Sequence, residues 1–248
     1  AGPVRGRGRG GGRIVWANAE RGRFAAQKGA AEGALAKVVL DLGQQDGAYR
    51  YREPIRQQQV DMLAVATHVD ITDAVLRDSP PGLAAPLRDT VGAWLSIWRL
   101  AGIDEFNLVR IHPHPLGSAA PSSALAGYYQ ASAAHYQLDW TILASINFIE
   151  SDFGRVNGPS SAGALGPMQF LPSSWTAYGA GGDVNNPKDA IEAAARYLFL
   201  SGARRNLDTA IFAYNHDNDY VAAVKYYAEA IRQNPAWLDR LYYWNTFG

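Results

Sequence analysis

Through most of the chain apolar residues recur every three or four positions, and strand-like alternation is scarce, so the pattern predicts helices. Residues 24–42 are alanine-rich, with Leu35, Val38, Val39 and Leu42 at helical spacing. Glu53-Pro54 opens a second helix, because proline is tolerated in a first turn, and Val60, Leu63, Ala64 and Thr67 make its buried stripe. Pro80-Pro81-Gly82 breaks the chain, and Pro86 starts a helix with Val91, Trp94, Leu95 and Trp98 on one face. Both tryptophans are expected in the core. His112-Pro113-His114-Pro115, followed by Gly117 and Ser118, reads as a linker.

The second half carries clearer punctuation. Residues 124–137 are helical, and Asp139 caps a helix running from Trp140 to about Phe153, with Gly154 as its stop. Residues 156–170, rich in Gly, Ser and Pro, form a loop or small β-hairpin. Further helices start at Pro172 and after Asn186-Pro187, span 207–213, run over 220–233 behind an Asp217 cap, and follow Pro235. The expected fold is mainly α. A basic tail (1–13) and a helical N-terminal region (14–115) precede a helical domain (116–248) with at most a small hairpin.

Composition agrees with an ordered globular chain: 248 residues, 48% hydrophobic and only 19% charged. The zero net charge is unevenly spread. Residues 1–30 hold six Arg, one Lys and one Glu, a net of +6, so the remainder carries −6. A basic tail on a mildly acidic body favours a polyanionic surface. Residues 1–13, AGPVRGRGRGGGR, are too glycine-rich to bury a core and are expected to be disordered. A single Arg-Gly run without interleaved aromatics does not point to nucleic acid, and none is expected as a partner. There is no cysteine, which excludes disulfides and thiolate metal sites. Neither a signal-peptide pattern nor a membrane-spanning apolar run is found, so an exported protein would be seen here in mature or shortened form.

Glu150 is the residue whose position invites chemistry. It lies beside a stripe of Ile142, Ile146, Ile149 and Phe153, in the last turn of its helix. Apolar surroundings and the negative end of the helix dipole both favour the protonated carboxyl, which can then donate a proton near neutral pH. A solvated surface glutamate is the plain alternative. The loop that follows, from Ser160 to Phe170, is small and flexible until Met168-Gln169-Phe170. Its backbone amides can approach a polymer closely. Gln169 offers a donor and an acceptor together, while Met168 and Phe170 offer apolar walls. No acid other than Asp152 lies between Glu150 and Asp183, whereas hydrolytic glycosidases normally use two carboxylates.

Four strings in order, Glu150-Ser151, Ser161-Ala162-Gly163-Ala164 with Gly166-Pro167-Met168-Gln169, Ala195-Arg196-Tyr197-Leu198 and Ala213-Tyr214-Asn215, resemble the soluble-type (SLT) lytic transglycosylase domain. This is a lysozyme-like α+β fold dominated by helices. The resemblance covers about residues 122–233, and MQFLPSSW and AYNHDNDYV look like exported actinobacterial-type members. Pro167 stands where the best-known members have leucine. The resemblance implies cleavage of the β-1,4 bond between N-acetylmuramic acid and N-acetylglucosamine, closing a 1,6-anhydro ring, with Glu150 as the single acid/base. It further implies that Ser151, Met168, Gln169, Phe170, Tyr214 and Asn215 bind or position substrate. The partner would be peptidoglycan glycan strands; no cofactor or metal is called for, and an exported monomer is expected.

Other assignments stay bland. His112 and His114, without a third ligand, are read as loop residues, and Asp217-Asn218-Asp219 lacks the glycine and closing glutamate of a calcium loop. Trp175 and Tyr178 are expected in the core, with stacking on a sugar as the alternative. A hydrolytic muramidase of goose-lysozyme type and a non-catalytic wall-binding protein remain the competing classes.

Overall fold

In a computed structural model of the chain, the described residues are 76–77, 79, 81–102, 117–156 and 158–243, all within one compact unit, Thr72–Gly248. The expected tail, the helices over 24–42 and after Glu53, and the His112–Pro115 linker lie outside them. Among the described residues eight helices run their full length, in order: α1 (Pro81–Leu100), α2 (Ser122–Tyr136), α3 (Trp140–Ser151), α4 (Pro172–Tyr178), α5 (Pro187–Leu200), α6 (Leu207–Tyr214), α7 (Asn218–Gln233) and α8 (Trp237–Tyr243).

The caps act where the side chains predict. Asp139 accepts from the Thr141 amide (2.9 Å) and hydroxyl (2.7 Å), Asn186 from the Lys188 amide, and Asp217 from the amides of Asp219 and Tyr220. Pro172 and Pro187 open α4 and α5.

α3 is the central element. Residues 141–148 are all buried, so the helix is covered nearly all round rather than along one stripe. α7 packs on both α1 and α3, and α2 packs on α3 and α5. α3 ends earlier than its apolar run predicts. Asp152 and Phe153 turn left-handed before Gly154 is reached (φ 49°, 61° and 90°), and Phe153 tucks under Phe148, with ring centroids 5.1 Å apart.

α1 corrects two expectations. It begins at Pro81, and Pro86 lies inside it rather than at its start. The amide that proline lacks would have bonded the carbonyl of Gly82, an exposed residue that water can serve instead. The buried face is also only partly the predicted one: Val91 is buried as expected, at 6% exposed. Thr90, Ala93 and Ser96 are 0% exposed, whereas Trp94, Leu95 and Trp98 are half-buried. Small residues on that face let α7 approach closely, and the Trp237 indole N–H bonds the buried Thr90 hydroxyl at 2.9 Å, tying α8 to α1.

Among the described residues there is no strand. The expected hairpin takes the form of one antiparallel bridge, in which Leu165 and Phe170 exchange amide–carbonyl bonds of 2.8 and 2.9 Å. Gly166 opens this tight turn at φ +70°, and a Cβ there would stand 1.9 Å from the Val184 carbonyl oxygen, so only glycine fits.

Candidate active site

Glu150 sits in the last turn of α3, half-buried. The Tyr220 hydroxyl, from the first turn of α7, donates to its Oε1 at 2.5 Å. Burial pushes the carboxyl up to about 7, and the Tyr220 bond only partly offsets this by favouring the anion. The buried Tyr220 and the half-buried Tyr214 respond in kind. The hydroxyls of Tyr220 and Tyr214 are held well above the ordinary phenol range, by burial first and then by the nearby Glu150 charge. Glu150, Tyr214 and Tyr220, from three helices, thus share one electrostatic neighbourhood.

The loop of the Leu165–Phe170 bridge is clamped from two sides. From α3, Asn147 Nδ2 (2.7 Å) and the Ser151 hydroxyl (2.5 Å) both donate to the Pro167 carbonyl. From α6, the Tyr214 hydroxyl donates to the Met168 carbonyl at 2.7 Å. Tyr129 supports the first clamp by donating to Asn147 Oδ1 at 2.5 Å. Behind the loop the rings of Phe170, Trp175, Tyr178, Tyr197 and Tyr214 meet edge to face, with centroids 4.6–6.5 Å apart. The Arg196-Tyr197 string locks this shelf. Arg196 donates to the Tyr136 hydroxyl and the Tyr178 carbonyl, and Tyr197 to the Ala213 carbonyl.

Several predicted contacts therefore lie under the surface. Ser151, Met168 and Phe170 are 1%, 0% and 3% exposed, so their side chains brace the loop rather than meet a ligand. Tyr214 has its hydroxyl committed to Met168. Gln169 is half-buried at φ +49°, with Nε2 donating to the Gly166 carbonyl at 3.0 Å. Asn215 is half-buried at the end of α6, and its carbonyl accepts from the Asp217 amide at 2.6 Å, which shapes the turn into α7. Trp175 and Tyr178 are half-buried in the ring cluster.

The residue that sequence reasoning missed is Tyr220, which it took only as the first residue of a capped helix. Its signal was present: Tyr220, Ala223, Val224 and Tyr227 mark one buried face, and a phenol buried there needs a partner. Asn147, a polar residue inside an apolar run, carried the same signal.

Asp152, two residues past the acid, has a similar charge problem but another setting. Its side chain is 1% exposed, neither carboxylate oxygen has a hydrogen-bond partner, and Arg155 approaches no closer than 3.6 Å. Burial pushes it up to about 7 as well, with Arg155 pulling weakly the other way. Among the described residues no three His, Cys, Asp or Glu side chains gather as a metal site would need, and no helix is long and apolar enough to cross a membrane.

The described residues thus form a helical domain in which a half-buried Glu150, Tyr214, Tyr220 and a clamped Gly-Pro-Met-Gln loop lie together. Residues 127–234 match the Transglycosylase SLT domain family, somewhat less than half of the chain. The match supports an SLT domain of the lysozyme-like superfamily over that segment, and with it a general function of the peptidoglycan lytic transglycosylase type. No curated protein and no solved structure matches the chain.

Proposed function

We propose that the protein cleaves the β-1,4 bond between N-acetylmuramic acid and N-acetylglucosamine without consuming water, with Glu150 as its only acid/base. The observation that carries this reading is a half-buried carboxyl at the end of α3, hydrogen-bonded by Tyr220 and protonated up to about pH 7. A proton donor works best when its pKa lies near the working pH. Glu150 gives its proton to the glycosidic oxygen, which leaves as the N-acetylglucosamine hydroxyl. The resulting carboxylate takes the proton of the muramoyl C6 hydroxyl as that oxygen bonds to C1, closing the 1,6-anhydro ring and restoring the acid. The negative end of α3 favours the protonated start, and the Tyr220 hydroxyl steadies the carboxylate between the two transfers.

Asp152 supports a one-acid reading, because a side chain 1% exposed cannot activate a water at the reacting sugar. Gln169 and Asn215, both half-buried, are the substrate contacts we assign. Tyr214 and Ser151 fix the loop through its carbonyls, and the buried side chains of Met168 and Phe170 anchor it from within. Export to the cell envelope follows from such a substrate. The catalytic region is assigned to 116–248, residues 14–115 keep an unknown role, and the tail 1–13 takes no part in turnover.

The test is digestion of purified peptidoglycan with mass analysis of the fragments. Wild-type products should be one water lighter than hydrolytic ends. Glu150→Gln should lower clearance of a wall suspension by about 10²–10⁴-fold while binding persists. Undiminished clearance by that variant would remove Glu150 from the reaction, and reducing ends alone would move the enzyme to the hydrolytic class.

A further inference from the structure

A pocket of about 900 Å³ opens between α1, α6 and α7, and neither Glu150, Tyr214 nor Tyr220 lines it. Two of its rings stand in water, Phe212 at 36% and Tyr226 at 40% exposed. Tyr226 is held flat. A methyl group added at Gly92 would lie 3.0 Å from Cε1, Cε2 and Cζ alike, a point over the middle of the ring. One face of the ring therefore rests on the α1 backbone at Gly92, which leaves the other face for the pocket.

The polar groups around the rings nearly cancel in charge. Asp208 pairs with Lys225 at 2.8 Å, and Arg232 is shared between Glu229 and Asp139 (2.6 Å) at the pocket's edge, leaving Asp89 without a cationic partner of its own in the lining and a small acidic excess. Such a pocket selects neither a polyanion nor a polycation. It does offer carboxylate oxygens that accept hydroxyl protons beside flat apolar surfaces. A neutral ring with hydroxyls at its edge and C–H groups on its faces matches that arrangement, and N-acetylated amino sugars have that form.

We propose that this pocket is a second glycan-binding site, holding a further stretch of β-1,4-linked amino sugars on Phe212 and Tyr226, apart from the acid. The proposal rests on peptidoglycan being the substrate. A polymer gripped at two points on one molecule is retained far longer than by either point alone.

The test uses the full chain carrying Glu150→Gln, so that ligands survive. In an NMR titration with tri-N-acetylchitotriose, the ring signals of Phe212 and Tyr226 should shift. In sedimentation with insoluble peptidoglycan, adding Phe212→Ala and Tyr226→Ala should weaken retention about tenfold. In the active background the same pair should leave turnover of short soluble glycan strands unchanged. Trisaccharide shifts that spare both rings, unaltered retention by the folded double variant, or ring shifts with a sugar-free stem peptide instead of the trisaccharide would each overturn it. The titration needs no change in the pocket, so misfolding of the variant does not shield the idea. If wild type releases anhydro products and the rings stay silent, only the second site fails. If the rings shift and wild type releases nothing, the reaction assigned to Glu150 fails.

Discussion

Glu150 and Tyr220 form the hydrogen-bonded pair on which the proposed chemistry rests, and pH tests it in two ways. Because the Tyr220 bond favours the Glu150 anion, Tyr220→Phe should raise the pKa of the acid further. The rate at which a protonated Glu150 acts falls as pH rises through its pKa, so in Tyr220→Phe the alkaline limb of kcat/KM should move to higher pH. A limb that stays in place would show that Tyr220 does not reach the acid in solution. Stability gives a second readout. Glu150 and Asp152 are both raised to about 7, so the folded state binds their protons more tightly than the unfolded state. Their contribution is fully present below the ordinary carboxylate range and is lost as pH climbs from about 4 to 7. Glu150→Gln and Asp152→Asn should therefore melt higher than wild type at pH 8, by up to about 3 kcal/mol each, and converge with it by pH 4. Asparagine also tolerates the left-handed backbone at 152. Melting curves with no pH-dependent gap would place both carboxylates in water.

At the level of elements, legibility in the sequence followed locality. Helix starts were readable because their cause is local: Asp139, Asn186 and Asp217 each bond an amide two residues on. The ends and faces were less so. Pro86 looked like a start because its cost is local, while the packing that outweighs it lies on α7, more than a hundred residues away. The same kind of distance hid Tyr220, 70 residues from Glu150, and the burial of Ser151 and Met168, whose loop is held by Ser151 from α3 and Tyr214 from α6. The turn at Gly166 can be tested directly. Gly166→Ala sets a methyl group against the Val184 carbonyl at a positive φ. It should cost about 3 kcal/mol or more, a fall of roughly 6–12 °C in Tm, with activity lost alongside. An alanine variant as stable as wild type would mean that this loop sits further from Val184.

For the molecule as a whole, the family match and the packing unit have different borders. The match starts at residue 127, yet α1 lies against α7 and is joined to α8 through Thr90 and Trp237. A fragment of residues 117–248 should lose the cover that Thr90, Ala93 and Ser96 give α7, and expose apolar surface. We expect it to aggregate or to melt at least about 10 °C below residues 72–248, since burying one helix face is worth several kcal/mol. Equal melting of the two fragments would assign α1 a role other than stability.

Tyr220 follows Glu150 by 70 residues in the chain. During synthesis at about 5–20 residues per second, the acid leaves the ribosome roughly 4–14 s before its partner. Until α7 docks, Glu150 lacks its Tyr220 partner and the cover of that helix, so the acid of the proposed reaction is not yet assembled. On the proposed reaction, the enzyme therefore stays inactive until α7, residues 218–233, has been made and packed.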